Sequence, residues 1–266
     1  MWIWEESDWP NFYWNDELIQ PIFRKLQLKQ GVLLGKVQAS NTDEQSALLD
    51  SLLANILNSY AIEGEKLNAF SVRSSLAKKL GISERTQYPT SDLTDGIATI
   101  LFDAVKNSAA PLSTERLFHW HHCLFPQTEN SSLSINVGQL RGQELMQVVS
   151  GRLARPKVHF QAPPRKGLET EVDRFIQWFN QNKDDPTVHP LCRAAMTHLW
   201  FITLHPFDDG NGRITRALTD LALAQAENSS IRFYVMSVTI LKKRNGYYDI
   251  LEQTQKGNGD INEWMN

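Results

Sequence analysis

The sequence predicts a mainly α-helical fold. Long segments without Gly or Pro carry apolar residues at helical spacing, as at residues 191–204, and a second such helix is expected at residues 214–226. Alternation typical of strands is confined to residues 152–164, with a weaker indication in the first residues. A chain of 266 residues with 41% hydrophobic residues can bury a substantial core. This length favours one large domain, or a core with an appendage.

The first forty residues predict a small N-terminal domain, residues 1–40. An amphipathic helix is expected at residues 15–33, after four tryptophans that lie among acidic residues and proline: Trp2, Trp4, Trp9 and Trp14. Large aromatic side chains at this density favour burial. We therefore expect this domain to pack on the core or on a second copy of the chain, as in a homodimer.

The rest of the chain divides into three parts. Residues 41–92 predict a helical region, with a helix at residues 44–57 and a polar loop at residues 86–94. The core is expected to span residues 93–256. Residues 257–266 begin a new amphipathic element and then stop, so we expect a truncated C-terminal element there.

One run of twelve residues predicts a nucleotide site. Residues 205–216 read His-Pro-Phe-Asp-Asp-Gly-Asn-Gly-Arg-Ile-Thr-Arg and lie between two predicted helices. Gly210 and Gly212 let successive amide groups and a helix N-terminus form a nest for phosphate oxygens. Asp209 is a hard oxygen ligand suited to Mg²⁺, which prefers few carboxylates together with substrate phosphates.

The same run supplies cations and a base. Arg213 and Arg216 are three residues apart, so on a helix they share a face and can bind one polyphosphate together. His205 titrates near neutral pH and can accept a proton from an incoming hydroxyl. A base that faces bound phosphates indicates phosphoryl or nucleotidyl transfer. A capped helix turn with a charged surface would need neither the histidine nor paired arginines.

This run resembles the signature of the Fic family, His-x-Phe-x-Asp/Glu-Gly-Asn-Gly-Arg-x-x-Arg, at every fixed position. The resemblance implies a Fic-type helical bundle with a short β-hairpin flap, and an enzyme that moves AMP from ATP onto a hydroxyl side chain of a target protein or of itself. His205 would be the general base and Asp209 the Mg²⁺ ligand, while Phe207 would pack under the loop. The implied nucleotide contacts include Gly210, Asn211, Gly212, Arg213 and Arg216. The tryptophan-rich start resembles the small N-terminal domain, of the DUF4172 type, found in one bacterial subfamily.

A second pattern lies upstream, at Ser59-Tyr-Ala-Ile-Glu63-Gly64. Ser59 and Glu63 are four residues apart and share a helix face, and Gly64 is a stop signal. By itself this pattern is more typical of a solvated helix end. Within the Fic family it resembles the inhibitory helix, which implies that Glu63 pairs with Arg216, occupies the place of the γ-phosphate and keeps the enzyme inactive.

Two further segments resemble parts of the family. Residues 152–164 predict an edge strand or hairpin arm that ends in a double proline. In Fic proteins the flap at this place binds the target peptide as an added strand, and Val158, His159, Phe160 and Gln161 would also approach the nucleotide. An ordinary surface hairpin is the alternative.

Near the C-terminus, Tyr247 and Tyr248 resemble the pair that walls the adenine pocket, with Gln255 in reach of the base edge. Tyrosines at helical spacing also occur in ordinary cores.

Other features exclude several classes of site or protein. The run His119-Trp-His121-His122-Cys123 cannot converge on one zinc ion from a helix, and we expect one of its histidines to be hydrogen-bonded inside the core. The net charge of −3 and the absence of a basic block do not indicate nucleic-acid binding. Two cysteines and the lack of a long apolar run predict a cytoplasmic protein without a membrane segment.

Three functions remain open from the sequence. The first is the protein adenylyltransferase, held inactive by Glu63. The second is the reverse reaction, in which the same glutamate positions a water that removes AMP. The third is a regulatory module that binds nucleotide without turnover, although such a module needs neither His205 nor Asp209. A further alternative is an enzyme of the first kind that transfers another group, such as UMP or phosphocholine.

Overall fold

The computed structural model describes residues 1–39, 43–83, 86–126, 135–152, 155–227 and 235–266. Within these ranges the chain forms helices and one antiparallel two-stranded sheet. The first helices are α1 (Asp16–Ala39), α2 (Glu44–Ile62), α3 (Ala69–Leu80), α4 (Asp92–Lys106) and α5 (Thr114–Leu124). The hairpin and the next helices are β1 (Gln147–Arg152), β2 (Arg155–Gln161), α6 (Leu168–Gln181), α7 (Pro190–Leu204) and α8 (Asn211–Glu227). The last helices are α9 (Met236–Lys242), α10 (Arg244–Gln255) and α11 (Asn262–Met265).

Helix α7 lies at the centre of the core. It is buried on almost every side, as expected for a helix without a polar face. One side contributes Phe201 and Leu204 to the main apolar cluster, which contains residues of helices α2 to α8. The opposite side contributes Leu199 and Ile202 to a second cluster, which also contains residues of α1, α10 and α11. The residues that follow α7 therefore start from a firmly held helix end.

The N-terminal tryptophans pack on the core of the same chain. Trp2 lies edge-on to Phe160, with ring centroids 5.5 Å apart, and Trp9 lies 6.2 Å from Trp200. The indole of Trp4 donates a 2.7 Å hydrogen bond to the carbonyl of Gln161. Of the two arrangements expected from the sequence, packing on the core is the one these contacts describe.

Several element boundaries differ from the sequence prediction. Helix α2 continues to Ile62 and so contains Ser59. Helix α8 begins at Asn211, three residues before the predicted start, because Asn211, Gly212 and Arg213 belong to its first turn. Helix α4 begins at Asp92 inside the predicted loop, since the hydroxyl of Ser91 caps it by accepting from the Thr94 amide at 3.2 Å. The first residues form a short 3₁₀ turn, Ile3–Glu5, and no strand.

Length and hydropathy set the described helices apart from membrane spans. None of them combines the length and the apolar character needed to cross a bilayer.

Two glycines in helices offer a test of the packing between α4 and α5. A side chain at Gly96 would collide with the backbone carbonyl of Cys123, whereas Gly31 in α1 has open space around it. We expect Gly96→Ala to lower the free energy of unfolding by about 1–3 kcal/mol through overpacking. The matched change Gly31→Ala should leave it unchanged or raise it by up to about 1 kcal/mol, because alanine favours a helix.

Urea unfolding of both variants measures this difference. Equal stability of the two variants would contradict the close approach of α4 and α5.

Candidate active site

His205 closes helix α7 and presents one ring nitrogen to a cavity. Its backbone is left-handed, with φ 48°, and caps the helix by donating to the Phe201 carbonyl at 3.1 Å. Nδ1 lies 3.1 Å from the carbonyl oxygen of Ile202. A carbonyl can only accept, so Nδ1 carries the proton and Nε2 keeps its lone pair. Burial lowers the pKa of His205 to about 4, which keeps the ring neutral and able to act as a base.

The loop after His205 is held in shape by Phe207 and its neighbours. The Phe207 amide donates to Oδ1 of Asn211 at 3.0 Å, and Nδ2 of Asn211 donates to the Phe207 carbonyl at 2.8 Å. Phe207 is fully buried and stacks on His121 with ring centroids 4.2 Å apart. Both polar atoms of the Asn211 side chain are thus engaged, so its backbone N–H is the group that it can offer a phosphate.

His121 also fixes the loop from α5. Its Nδ1 accepts from the Gly138 amide at 2.9 Å, and its Nε2 donates to the carbonyl of Asp209 at 3.1 Å. Burial lowers the pKa of His121 to about 4, so the ring stays neutral. This is the internally hydrogen-bonded histidine expected from the sequence.

Arg141 supports the same loop from behind, and the sequence did not indicate it. The side chain is buried, and its Nε donates to the carbonyl of His205 at 2.9 Å. Its Nη2 donates to the Pro163 carbonyl at 2.5 Å, which ties the loop to the segment after β2. Asp208 adds a second tie, since its carboxylate accepts from the amides of Asn136 and Gly142. An arginine bonded to carbonyls far away in sequence leaves no local pattern.

The first turn of α8, with Gly210 just before it, has the backbone form of an anion nest. Gly210 has φ 80°, a conformation that favours glycine. Gly212 lies so close to Glu63 that a side chain there would collide with its carboxylate. The amides of Asn211, Gly212 and Arg213 belong to the open end of a long helix and point their positive ends toward the cavity. The nest suits a phosphate group.

Arg216 is held by the end of helix α2. Its Nη2 donates to Oε1 of Glu63 at 2.7 Å and to the backbone carbonyl of Ser59 at 3.0 Å, and its Nε donates to the Ser59 hydroxyl at 2.7 Å. The Arg216 side chain is 3% exposed and that of Glu63 is 29% exposed. The two residues that the sequence indicated on α2 thus contact the second arginine of the motif.

Arg213 has a separate carboxylate partner, Glu65, which the sequence did not indicate. Nη1 of Arg213 lies 3.0 Å and 3.2 Å from the two carboxylate oxygens of Glu65. Asp209 contributes a longer contact of 3.4 Å, and the guanidinium lies over the rings of Tyr60 and Phe125. A second acidic residue two positions after Glu63 was a visible signal, but only the turn at the end of α2 brings it to the arginine.

These groups line one cavity of about 720 Å³. The motif loop, the end of α2, the hairpin and helix α10 all contribute to its wall. Its volume is in the range that holds a nucleotide-sized ligand. Of the predicted hairpin residues, His159 and Phe160 line the cavity, whereas Val158 and Gln161 are not among the lining residues. The β1 residues Val148 and Val149 also line it, and the sequence did not single them out.

Helix α10 brings the predicted aromatic pair to the cavity. Tyr247, Tyr248 and Gln255 all line it. The Tyr247 hydroxyl bonds to Nε2 of the buried His198 at 2.9 Å, and Nε2 of Gln255 donates to the Thr203 hydroxyl at 3.1 Å. Both partners lie on α7, so the central helix orients this wall as well as His205.

The chemistry of Asp209 fits a magnesium ion shared with a polyphosphate. Its side chain is about half exposed, and Oδ2 faces the cavity beside Arg213. In the described ranges no group of three or more His, Cys, Asp or Glu side chains could hold a metal ion. A metal here would take one protein carboxylate and complete its shell with phosphate oxygens and water, as Mg²⁺ commonly does.

Comparison with known proteins agrees with this architecture. Residues 111–223 match the model of the Fic/DOC family, and residues 2–82 match a domain of unknown function, DUF4172. The chain thus carries an N-terminal DUF4172 domain followed in sequence by a Fic/DOC family domain. The DUF4172 match extends through the helix that contains Ser59 and reaches beyond Glu63.

Relatives and solved structures share these features at low identity. Proteins named protein adenylyltransferase Fic from Culex quinquefasciatus and Nematostella vectensis are each 24% identical over 91% of this chain. This chain covers 44% and 52% of their lengths, so it spans about half of the curated relatives it matches. The crystal structure of a Fic family protein from Desulfovibrio desulfuricans G20 superposes with a TM-score of 0.66 and 18% identity, over 96% of this chain and 71% of that one. This likeness confirms the predicted Fic-type helical fold.

The state of His205 can be tested by nitrogen NMR of labelled histidine. We expect Nδ1 to carry the proton at neutral pH, and protonation of Nε2 to occur only as the pH falls to about 4. The direction follows from burial, which penalises the charged imidazolium. Titration near the ordinary value of 6.5, or a proton on Nε2 at neutral pH, would contradict this geometry. His205→Gln serves to assign the signal.

Proposed function

We propose that this chain is a protein adenylyltransferase that transfers AMP from ATP to a hydroxyl side chain of a target protein. One observation carries the proposal: the unprotonated Nε2 of His205, the anion nest of α8 and two buried arginines belong to one nucleotide-sized cavity. A nucleotide-binding module without turnover would have no use for a neutral histidine at this place. The names of the curated relatives support the same activity.

The proposed reaction uses these groups in named roles. The nest amides and the two arginines bind the phosphates of ATP, and Asp209 holds Mg²⁺, which neutralises phosphate charge when bound. His205 takes the proton of the incoming hydroxyl at Nε2. The hydroxyl oxygen forms a bond to the α-phosphorus, the bond from that phosphorus to the bridging oxygen breaks, and pyrophosphate leaves. Tyr247, Tyr248 and Gln255 would contact the adenine.

The target is proposed to bind along the hairpin. Strand β1 pairs only with β2 among the described strands, and the β1 side chains of Val148 and Val149 are 38% and 50% exposed. An extended peptide could add its backbone to a free strand edge, which fixes register and requires little of its sequence. The cavity reaches both valines, so an added strand would pass close to the phosphates.

Glu63 is proposed to keep this site inactive. Its carboxylate holds Arg216 at 2.7 Å, and the same guanidinium is needed for a phosphate. The partly desolvated, charge-assisted bond is of the kind worth about 1.5–3 kcal/mol. Glu63 therefore competes with the nucleotide for Arg216.

We expect Glu63→Gly to raise the transfer of label from ATP to the proteins of a cell lysate by about 10–100-fold, the factor that corresponds to losing this bond. Adding His205→Ala to Glu63→Gly should reduce that transfer by about 10²–10⁴-fold. The assay contains Mg²⁺ and ATP labelled at the α-phosphorus, with labelled lysate bands as the readout.

Failure of this assay would have distinct forms. Equal amounts of labelled lysate protein from the Glu63→Gly variant and from the Glu63→Gly, His205→Ala variant would exclude His205 as the base. No labelled lysate protein in any variant, despite measurable ATP binding, would contradict the proposal. Such a result would favour the reverse reaction or a nucleotide switch, and release of AMP from a modified protein would then separate those two.

Glu65 is expected to contribute a smaller part of the inhibition through Arg213. Its side chain is about half exposed, so its ion pair is screened and is worth at most about 1 kcal/mol. We expect Glu63→Gly with Glu65→Gln to label lysate proteins up to about fivefold more than Glu63→Gly alone. Glu44→Gln, at the exposed start of α2, is the matched control. Equal labelling by Glu63→Gly chains that carry either Glu65→Gln or Glu44→Gln would show that Glu65 contributes nothing to the inhibition.

A further inference from the structure

A second cavity lies at the opposite end of helix α7 from His205. Its volume is about 320 Å³, and its wall includes Gln20 of α1, the loop of residues 182–190, Arg193 of α7 and Ala226 near the end of α8. It shares no described lining residue with the cavity of the motif loop. Residues of both the DUF4172 domain and the Fic domain contribute to its wall. The proposed function has no use for this cavity.

Arg193 brings a buried positive charge to the wall. The residue is 3% exposed, and its Nη2 donates to the Phe179 carbonyl at 2.7 Å and to Oε1 of Gln225 at 2.8 Å. Both acceptors are neutral, and the buried Nε has no hydrogen-bond partner in the described part of the chain. Burial lowers the pKa of Arg193 to about 10, and the charge of Asp184 offsets this only in part. The guanidinium is therefore still charged at neutral pH and keeps an unused donor.

The other buried arginines in the described ranges are better satisfied. Arg213 and Arg216 each donate to a carboxylate. Arg141 binds two backbone carbonyls, one from Nε and one from Nη2. The described bonds of Arg193 instead start from one nitrogen, and neither reaches a carboxylate. Because a buried charge without a counter-ion is unfavourable, an arginine at this position indicates an anion bound in the cavity that it lines.

The other charges on the wall also favour an anion. Lys183 is a second cation, and α7, a helix of 15 residues, begins at the wall with the positive end of its dipole. Asp185 is the one carboxylate among the described lining residues, and its Oδ1 already accepts from the amide and the hydroxyl of Thr187 at 2.8 Å and 2.7 Å. Burial lowers the pKa of His189, so its ring adds no charge at neutral pH. Two cations and one carboxylate give these lining residues a net charge of +1.

We propose that this cavity binds the phosphate group of a small molecule, with Arg193 and Lys183 as its charged donors. A phosphate offers several acceptor oxygens, which suits a forked guanidinium together with an ammonium group. The cavity volume of about 320 Å³ also leaves room for an organic group attached to the phosphate. Gln20 belongs to the DUF4172 domain and Arg193 to the Fic domain, so a ligand here would contact both domains.

Nitrogen NMR of the full chain with labelled histidine tests the site, because His189 lines this cavity and His205 lines the other one. Inorganic phosphate is added at constant pH, and sodium chloride keeps the ionic strength constant. We expect the ring signals of His189 to shift along a saturating curve. Those of His205 should stay unchanged over the same range, because Glu63 occupies Arg216 in the other cavity. His189→Gln assigns the signals.

Three variants identify the donors. Arg193→Met should weaken phosphate binding by at least about tenfold, the factor for losing one charge-assisted hydrogen bond. Lys183→Gln should weaken it by about two- to fivefold, since this side chain is partly exposed. Lys166→Gln, at an exposed lysine outside both cavities, is the matched control and should leave binding unchanged.

The source of the phosphate group is identified by adding ribose 5-phosphate in place of inorganic phosphate. Tighter binding of the sugar phosphate would support the site with an organic phosphate as its ligand. Equal or weaker binding would support the site with the free ion as its ligand.

Three results would overturn the inference. The first is the absence of a saturable shift of His189, and the second is a shift of His205 alone, which would place phosphate only in the cavity of the motif loop. The third is equal phosphate binding by the Lys183→Gln and Lys166→Gln variants, a comparison that holds even if Arg193→Met fails to fold. None of these results bears on AMP transfer, so the proposed function is tested separately by its own assay.

Discussion

Two buried guanidinium groups, and the carboxylates that neutralise them, lie at the centre of this site. Arg213 and Arg216 are 7% and 3% exposed, so each requires a partner of opposite charge. In this structure the partners are Glu65 and Glu63, both from the end of α2. In the proposed function, a polyphosphate at the first turn of α8 would bind the same arginines in place of the carboxylates.

The remaining architecture keeps those donors in place. Helix α7 orients His205 at its end and, through His198 and Thr203, holds the wall formed by α10. His121 and Arg141 fix the motif loop from two other elements. Bonds of this kind fix the positions of His205 and of the first turn of α8 before any ligand binds. The proposed transfer requires this, because electrostatic stabilisation of a transition state depends on groups that are already in place. Hydrogen bonds that link Ser150, His159 and Glu252 connect the hairpin to the same wall.

Much of this could be predicted from the sequence, for identifiable reasons. The helical fold with a short hairpin followed from the apolar spacing and the resemblance to the Fic family, and it is confirmed. The motif residues are close in sequence, so their chemistry could be derived from the twelve consecutive residues 205–216. The roles of His205, Asp209 and Glu63 stay predictions.

What could not be predicted depends on contacts between distant segments. Arg141 bonds to carbonyls of His205 and Pro163. The sequence indicated one buried histidine in α5, but not that His121 stacks on Phe207. Glu65 reaches Arg213 only because the chain turns at the end of α2. The hydrogen bonds that link Ser150, His159 and Glu252 join three elements and have no local pattern.

Transfer of the AMP part of ATP, with release of pyrophosphate, is the reaction proposed for this cavity. The most direct measurement compares two preparations of ATP with the Glu63→Gly chain and a cell lysate, one labelled at the α-phosphorus and one at the γ-phosphorus. We expect only the α-label to become attached to protein, and the γ-label to be recovered in pyrophosphate. Protein that carries the γ-label would show phosphoryl transfer in place of AMP transfer and would rule out the proposed reaction.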